Sequence, residues 1–208
     1  MPVHRSRQTR RRALVASGPW AASAGLATCF LALTARLTAC ALLLTAVLPT
    51  AGRAQGIPFS QHGSVSQRVG FTDIAIEYNR PVTHGRTLFG DHAVVHWGDI
   101  WHPGADSATT ISFSRDVLVE GHALQAGAYT LWTIPRPEAW TVIFSRAVHV
   151  FHIPYPGQDQ DALRVEVKPE TGSHMDALAY YFPVVAPDST ILRLQWGEMV
   201  VPIHIRTE

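Results

Sequence analysis

Short runs of alternating apolar and polar side chains, cut by glycine and proline, fill most of the chain after residue 63. A side-chain period of two marks a half-buried β-strand. Gly127 to Ile134 sets Tyr129, Leu131 and Thr133 on one face and Thr130, Trp132 and Ile134 on the other. Ile74 to Tyr78, Ala108 to Phe113, Leu163 to Val167 and Ile191 to Trp196 alternate in the same way. Trp140 to Phe144 is nearly all apolar, which places it centrally in a sheet. Val117 to Val119 and His122 to Leu124 flank Glu120-Gly121 as a hairpin, and Arg80-Pro81 ends the strand before it. Thr87 to Phe89 and Ala93 to Trp97 are short apolar runs parted by Gly90-Asp91. Tyr180-Tyr181-Phe182 favours strand over helix for Asp176 to Val185, and Gly197-Glu198 reads as the turn into a last strand, Met199 to Ile205. No amphipathic helix or repeat interrupts the pattern. The expected fold is all-β: one antiparallel β-sandwich, jelly-roll-like, following an export segment.

Residues 1–54 have the parts of a secretory signal. Arg5, Arg7, Arg10, Arg11 and Arg12 form a basic head, Ala21 to Leu48 an apolar middle broken by Arg36, and small residues lead to Gly52-Arg53-Ala54. Cleavage is expected after Ala54, giving an exported periplasmic or secreted domain over residues 55–208. Three alternatives stay open. Arg10-Arg11 suits twin-arginine export, Leu37-Thr38-Ala39-Cys40 suits a lipoprotein anchored through Cys40, and the apolar run suits a retained anchor. The uninterrupted part between Arg36 and Pro49 falls short of the ~20 residues that span a bilayer, so no stable membrane span is expected in the mature chain.

The segment after Ala54 carries ten basic and sixteen acidic residues, a net charge of −6, against +1 for the whole chain. Lys168 is its only lysine, and its arginines are scattered, so nucleic acid is not an expected partner. Cys29 and Cys40 both precede residue 55, so the mature domain must hold together by its core. A domain of this size buries ~70% of its unfolded surface, enough for an unaided core.

A series of short pieces follows in order: Arg80-Pro81, Gly85-Arg86, Phe89-Gly90, Trp101, Gly104-Ala105, Ala108-Thr109-Thr110, Ala126-Gly127-Ala128-Tyr129, Ile134-Pro135 and Trp140 to Phe144, then Leu163-Arg164-Val165 and Trp196. Together they resemble the exported bacterial family known as domain of unknown function 2911, over about Val65 to Ile203. The resemblance implies an exported β-rich domain and brings no activity with it. The chain departs from the family after Trp101. His102 stands where Arg is usual, Asp106 where Asn is usual and Ser107 where Glu is frequent, so no role resting on that trio carries over.

The residues expected to bind a ligand are Arg86, Trp101, His102, Asp106 and Trp132. Imidazole and carboxylate suit zinc and similar ions, so His92, His96, His102 and Asp106 form a candidate metal site. The plainer reading makes them surface and turn histidines of a chain with eleven. Trp97, Trp101, Tyr129, Trp132, Trp140 and Trp196 could stack on a ligand, although most tryptophans of a sandwich fill its core. Trp132, with mixed neighbours, is the one expected at the surface. Arg86 follows Gly85 and is expected to anchor its loop through Asp106 or Asp91. In His102-Pro103-Gly104-Ala105-Asp106, proline and glycine make a rigid reversal that brings Asp106 back towards Arg86, as a clamp, or towards a ligand-binding His102. Gly-x-Ser-x-Gly is absent and the mature segment has no cysteine, so no catalytic residue is assigned.

The leading expectation is a non-catalytic binding or interaction module of the cell envelope. Its partner would be a small molecule or an envelope protein, and no cofactor is needed. The alternative is a metal-dependent enzyme or metal-binding protein using His92, His96, His102 and Asp106, with zinc as the cofactor.

Overall fold

Ten strands realise the alternation, in a computed structural model that describes residues 60–207. The expected export segment, the expected cleavage after Ala54 and the Cys40 alternative lie outside the described residues. The strands are β1 (Gln61–Val69), β2 (Thr72–Arg80), β3 (Thr110–Phe113), β4 (Val117–Val119), β5 (His122–Leu124), β6 (Gly127–Ile134), β7 (Trp140–Ser145), β8 (Asp161–Val167), β9 (Glu170–Val185) and β10 (Ser189–Thr207). They make two antiparallel sheets, six strands in the order β1-β2-β3-β6-β7-β8 and four in the order β5-β4-β10-β9. The all-β sandwich is as expected.

One side-chain row of each sheet fills the space between them. Ile74, Ile76, Ile111, Leu131, Val142 and Phe144 of the larger sheet share one cluster with Leu178, Leu192, Leu194, Val201, Ile203 and Ile205 of the smaller. At ~25 cal/mol per Å² of apolar area removed from water, this cluster is the main stabilising term.

Two local features differ from expectation, each for a backbone reason. Gly197-Glu198 makes no turn, because β10 runs on through it with register shifts on both sides of Gly197. Gly197 takes a left-handed φ of 61° inside a strand, the signature of a bulge. Pro202 sits in β10 between the residues that pair with β9 and those that pair with β4, where no ladder donor is required. The apolar runs around Phe89 and Val95 fold into a closed loop instead of strands: Val94 N–H donates to Thr87 O, Val95 N–H to Leu88 O, and Gly90 N–H to Val95 O.

The largely apolar β7 is internal, as its composition requires, and it is buried on both faces. Its outward Ile143 packs with Trp132 of β6 and with Ala108, beneath Val150 and Tyr155. Those two belong to a strap, residues 146–160, that lies across the outer face of the larger sheet. Arg146 N–H donates to Gln160 O, Thr130 Oγ1 to Ala147 O, Ala108 N–H to Val150 O and His152 N–H to Asp106 O. At its far end Tyr155 Oη and Arg164 Nε both donate to the Asp161 carboxylate at 2.6 Å. The long connection between β2 and β3, residues 81–109, packs against both the core and the strap, and it carries most of the residues singled out by the sequence.

Candidate functional site

That connection leaves β2 through two successive left-handed residues, His84 (φ 49°) and Gly85 (φ 69°), and Arg86 N–H closes the turn on Thr83 O at 3.0 Å. The Arg86 side chain folds back on the same turn. Its Nε donates to Thr83 O at 3.0 Å and its Nη2 to Val82 O at 2.7 Å. The expected carboxylate partners, Asp106 and Asp91, are not used: among the described residues Arg86 forms no ion pair. The carbonyls that end β2 lie within its reach and hold the guanidinium in place.

Beyond Arg86, Phe89 is the hub of an aromatic cluster. Its ring stacks on Trp97 at 5.9 Å and meets Trp101, Trp140 and Trp196 edge-on at 5.8, 5.3 and 6.2 Å. Trp101 in turn stacks on Trp196 at 5.9 Å with 9° between the planes. Trp140 and Trp196 are buried, whereas Phe89, Trp97 and Trp101 are half-buried. The cluster ends in an open groove of about 530 Å³, lined by Leu88, Phe89, Trp97, Trp196 and Met199 with Arg86, His174 and Glu198 among its polar side chains. The β10 bulge forms one wall of it, between Trp196 and Met199. Of the expected ligand residues, Arg86 lines this groove, and Trp101 backs it through Phe89 and Trp196.

His102 and Trp132 come together elsewhere. Trp101 and Thr133 exchange backbone hydrogen bonds at 2.7 and 2.8 Å, which carries the next residue under the strap. His102 is 4% exposed there, edge-on to Trp132 at 5.5 Å and 6.2 Å from the His152 ring. Its Nε2 accepts the Thr109 backbone N–H at 2.5 Å. The neutral ring therefore carries its proton on Nδ1, which is buried and has no partner among the described residues. Burial, with a smaller contribution from His152, pushes its pKa down to about 3. Pro103 O accepts from Thr109 Oγ1 of the same connection and from Tyr180 Oη of β9, so the turn after His102 is closed on itself and tied to the smaller sheet.

Two ligand expectations are corrected here. Trp132 is 1% exposed and cannot stack on a ligand at the surface, because the strap covers the outer face of its sheet. Its indole N–H is satisfied internally by Thr130 Oγ1 at 3.0 Å. Asp106 neither clamps Arg86 nor orients His102. Its side chain is exposed, its φ is 59°, and its carbonyl accepts both the backbone N–H and the ring Nδ1–H of His152, at 2.9 and 2.7 Å.

The expected metal set is not assembled either. His92 and His96 are exposed, with His96 Nδ1 3.4 Å from Asp99 Oδ2, while His102 is buried and its Nε2 is already engaged. Among the described residues no three His, Cys, Asp or Glu side chains gather to hold a metal ion.

Sequence reasoning missed Glu198 and His174 in the aromatic groove. The usable signal was Gly197, a lone glycine within an otherwise alternating strand, which marks a bulge more readily than a turn. No helix among the described residues is long and apolar enough to cross a membrane.

The chain matches none of the curated proteins and none of the solved structures with which it was compared. The pieces that build the aromatic groove and the buried turn, from Arg80-Pro81 to Trp196, fall within a family model that matches residues 60–205, and on that match the chain belongs to the DUF2911 family of proteins of unknown function.

Proposed function

We propose that this protein is a non-catalytic binding module of the cell envelope and that its ligand is a saccharide seated in the Phe89–Trp97–Trp196 groove. The observation that carries the reading is the joining of an aromatic floor to a rim of Arg86, His174 and Glu198. Sugar rings present apolar C–H faces that stack on aromatic side chains and hydroxyls that pair with such a rim. Arg86 suits the role because two backbone carbonyls already hold its Nε and Nη2. Little side-chain entropy is then lost when the remaining nitrogen meets a ligand. Among the described residues Glu198 is the only carboxylate lining the groove, and glycosidic cleavage ordinarily takes two. The basic head and apolar middle of residues 1–54 support an envelope location.

The test is titration of the full chain with a panel of soluble di- and trisaccharides, read by tryptophan fluorescence. At least one sugar saturates the signal and is recovered unaltered, and Trp97→Ala weakens it by about tenfold or more without moving the melting temperature. A panel in which no sugar saturates the signal overturns the proposal. N-terminal sequencing of the mature protein tests the location, with Gln55 as the expected first residue.

A further inference from the structure

A second cleft, of about 540 Å³, opens on the outer face of the larger sheet, between β1–β2 and the strap. Its chemistry is the reverse of the aromatic groove's. Among the described residues Glu77 is the only formally charged side chain that lines it, beside His62, Asn79, Thr110, His149 and Phe151. Glu77 stands on the outward face of β2, in register with Ser64 of β1 and Thr110 of β3. Among the described residues it enters no ion pair, and none of their arginines or lysines lines the cleft.

The walls are held. Asn79 Oδ1 lies 3.4 Å from the Nδ1 of His62, and Asn79 Nδ2 donates to Ala105 O at 3.1 Å. On the far side Ser107 bridges to Phe151 in antiparallel fashion, flanked by Ala108 N–H to Val150 O and His152 N–H to Asp106 O. The strap is thus pinned on both sides of Phe151, yet that ring is 55% exposed. An exposed aromatic ring on a pinned segment, facing a cleft whose one charge is an unpaired carboxylate, is the recognition chemistry of an organic cation. The carboxylate supplies the charge and the ring face the quadrupole. The net charge of −6 after residue 54 favours the approach of a cation over that of an anion.

We infer that this cleft binds an organic ammonium ion, with Glu77 as the counter-charge and Phe151 as the aromatic wall. The site is separate from the aromatic groove, and neither proposal depends on the other. The test uses the full chain, titrated by calorimetry with choline, tetramethylammonium and benzylammonium, and with 3,3-dimethylbutan-1-ol as the uncharged analogue of choline. At least one ammonium ion saturates the site below about 10 mM, and the uncharged analogue binds about tenfold more weakly or worse. Glu77→Gln lowers affinity for the ammonium ion about tenfold or more, Phe151→Ala lowers it several-fold, and both variants melt with the parent protein. Asp73→Asn, which removes an exposed carboxylate paired with Arg68 outside the cleft, leaves affinity unchanged. The inference is overturned if none of the three cations saturates, if the uncharged analogue binds as well as choline, or if Glu77→Gln retains parental affinity.

Discussion

The Nε2 of His102 accepts the backbone N–H of Thr109 at 2.5 Å, in a site where the imidazole is 4% exposed. Protonating that nitrogen would break the bond and leave a charge under the strap. The folded protein therefore holds His102 neutral down to about 3, against 6.5 for an ordinary histidine. Between those values the unfolded chain binds a proton that the folded chain refuses, so stability rises with pH across this window. The contribution is fully present above about 6.5 and is lost as pH falls towards about 3. Denaturant midpoints measured across this range should decline with acid. His102→Phe should flatten the decline while lowering stability at pH 8 by ~1–3 kcal/mol, because Thr109 N–H loses its acceptor. A slope equal to the parent's would assign the acid lability to other groups.

Asp106 holds its place through its backbone. A φ of 59° suits glycine, asparagine and aspartate and burdens β-branched residues. Asp106→Gly should stay within about 0.5 kcal/mol of the parent, whereas Asp106→Val should lose ~1–2 kcal/mol. Thermal melts of the pair distinguish this from a carboxylate-dependent role, in which both variants would lose stability together.

Gly104 is required for space. A Cβ there would lie 2.6 Å from Thr109 Oγ1 and 2.7 Å from His102 Cε1, both held by hydrogen bonds. Gly104→Ala should cost ~1–3 kcal/mol through overpacking. Chemical denaturation reads the loss directly, and a neutral result would mean that the buried turn is more yielding than its bonds imply.

Trp132 is a core residue of the outer layer. Trp132→Ala should cost ~3–5 kcal/mol, with saccharide binding in the groove unaltered in the protein that remains folded. Because the ring packs against Tyr155, hydrogen exchange should also rise in residues 146–160.

The sandwich was legible because strand alternation is a local property: Gly127 to Ile134 and Glu120-Gly121 carry their own faces and turn. The sites were less legible because they depend on pairings between distant residues. Trp132 alternates with mixed neighbours like a surface tryptophan, and it is buried by Ala108 and His102 of the β2–β3 connection and by the strap, all distant from it in sequence. Arg86 is expected to pair with Asp106 or Asp91 and instead bonds Thr83 O and Val82 O, because sequence cannot distinguish a carboxylate partner from the carbonyls of its own turn. The histidines failed as a set for a similar reason. His92 and His96 lie on a loop closed by local backbone bonds, and the pairing of Trp101 with Thr133 draws His102 inside.

The pairing of Ile205, Arg206 and Thr207 with Val119, Leu118 and Val117 joins β4 and β5 to the rest of the smaller sheet. All six strands of the larger sheet precede β9 in the chain, so a ribosome delivers that sheet before either long strand of its cover. Closing a loop of this length is slow compared with forming a neighbouring hairpin. During synthesis the apolar row of β2, β3, β6 and β7 therefore waits uncovered, and an uncovered sheet face invites aggregation. That exposure ends when β9 and β10 lay Leu178, Leu192, Leu194, Val201, Ile203 and Ile205 over the row.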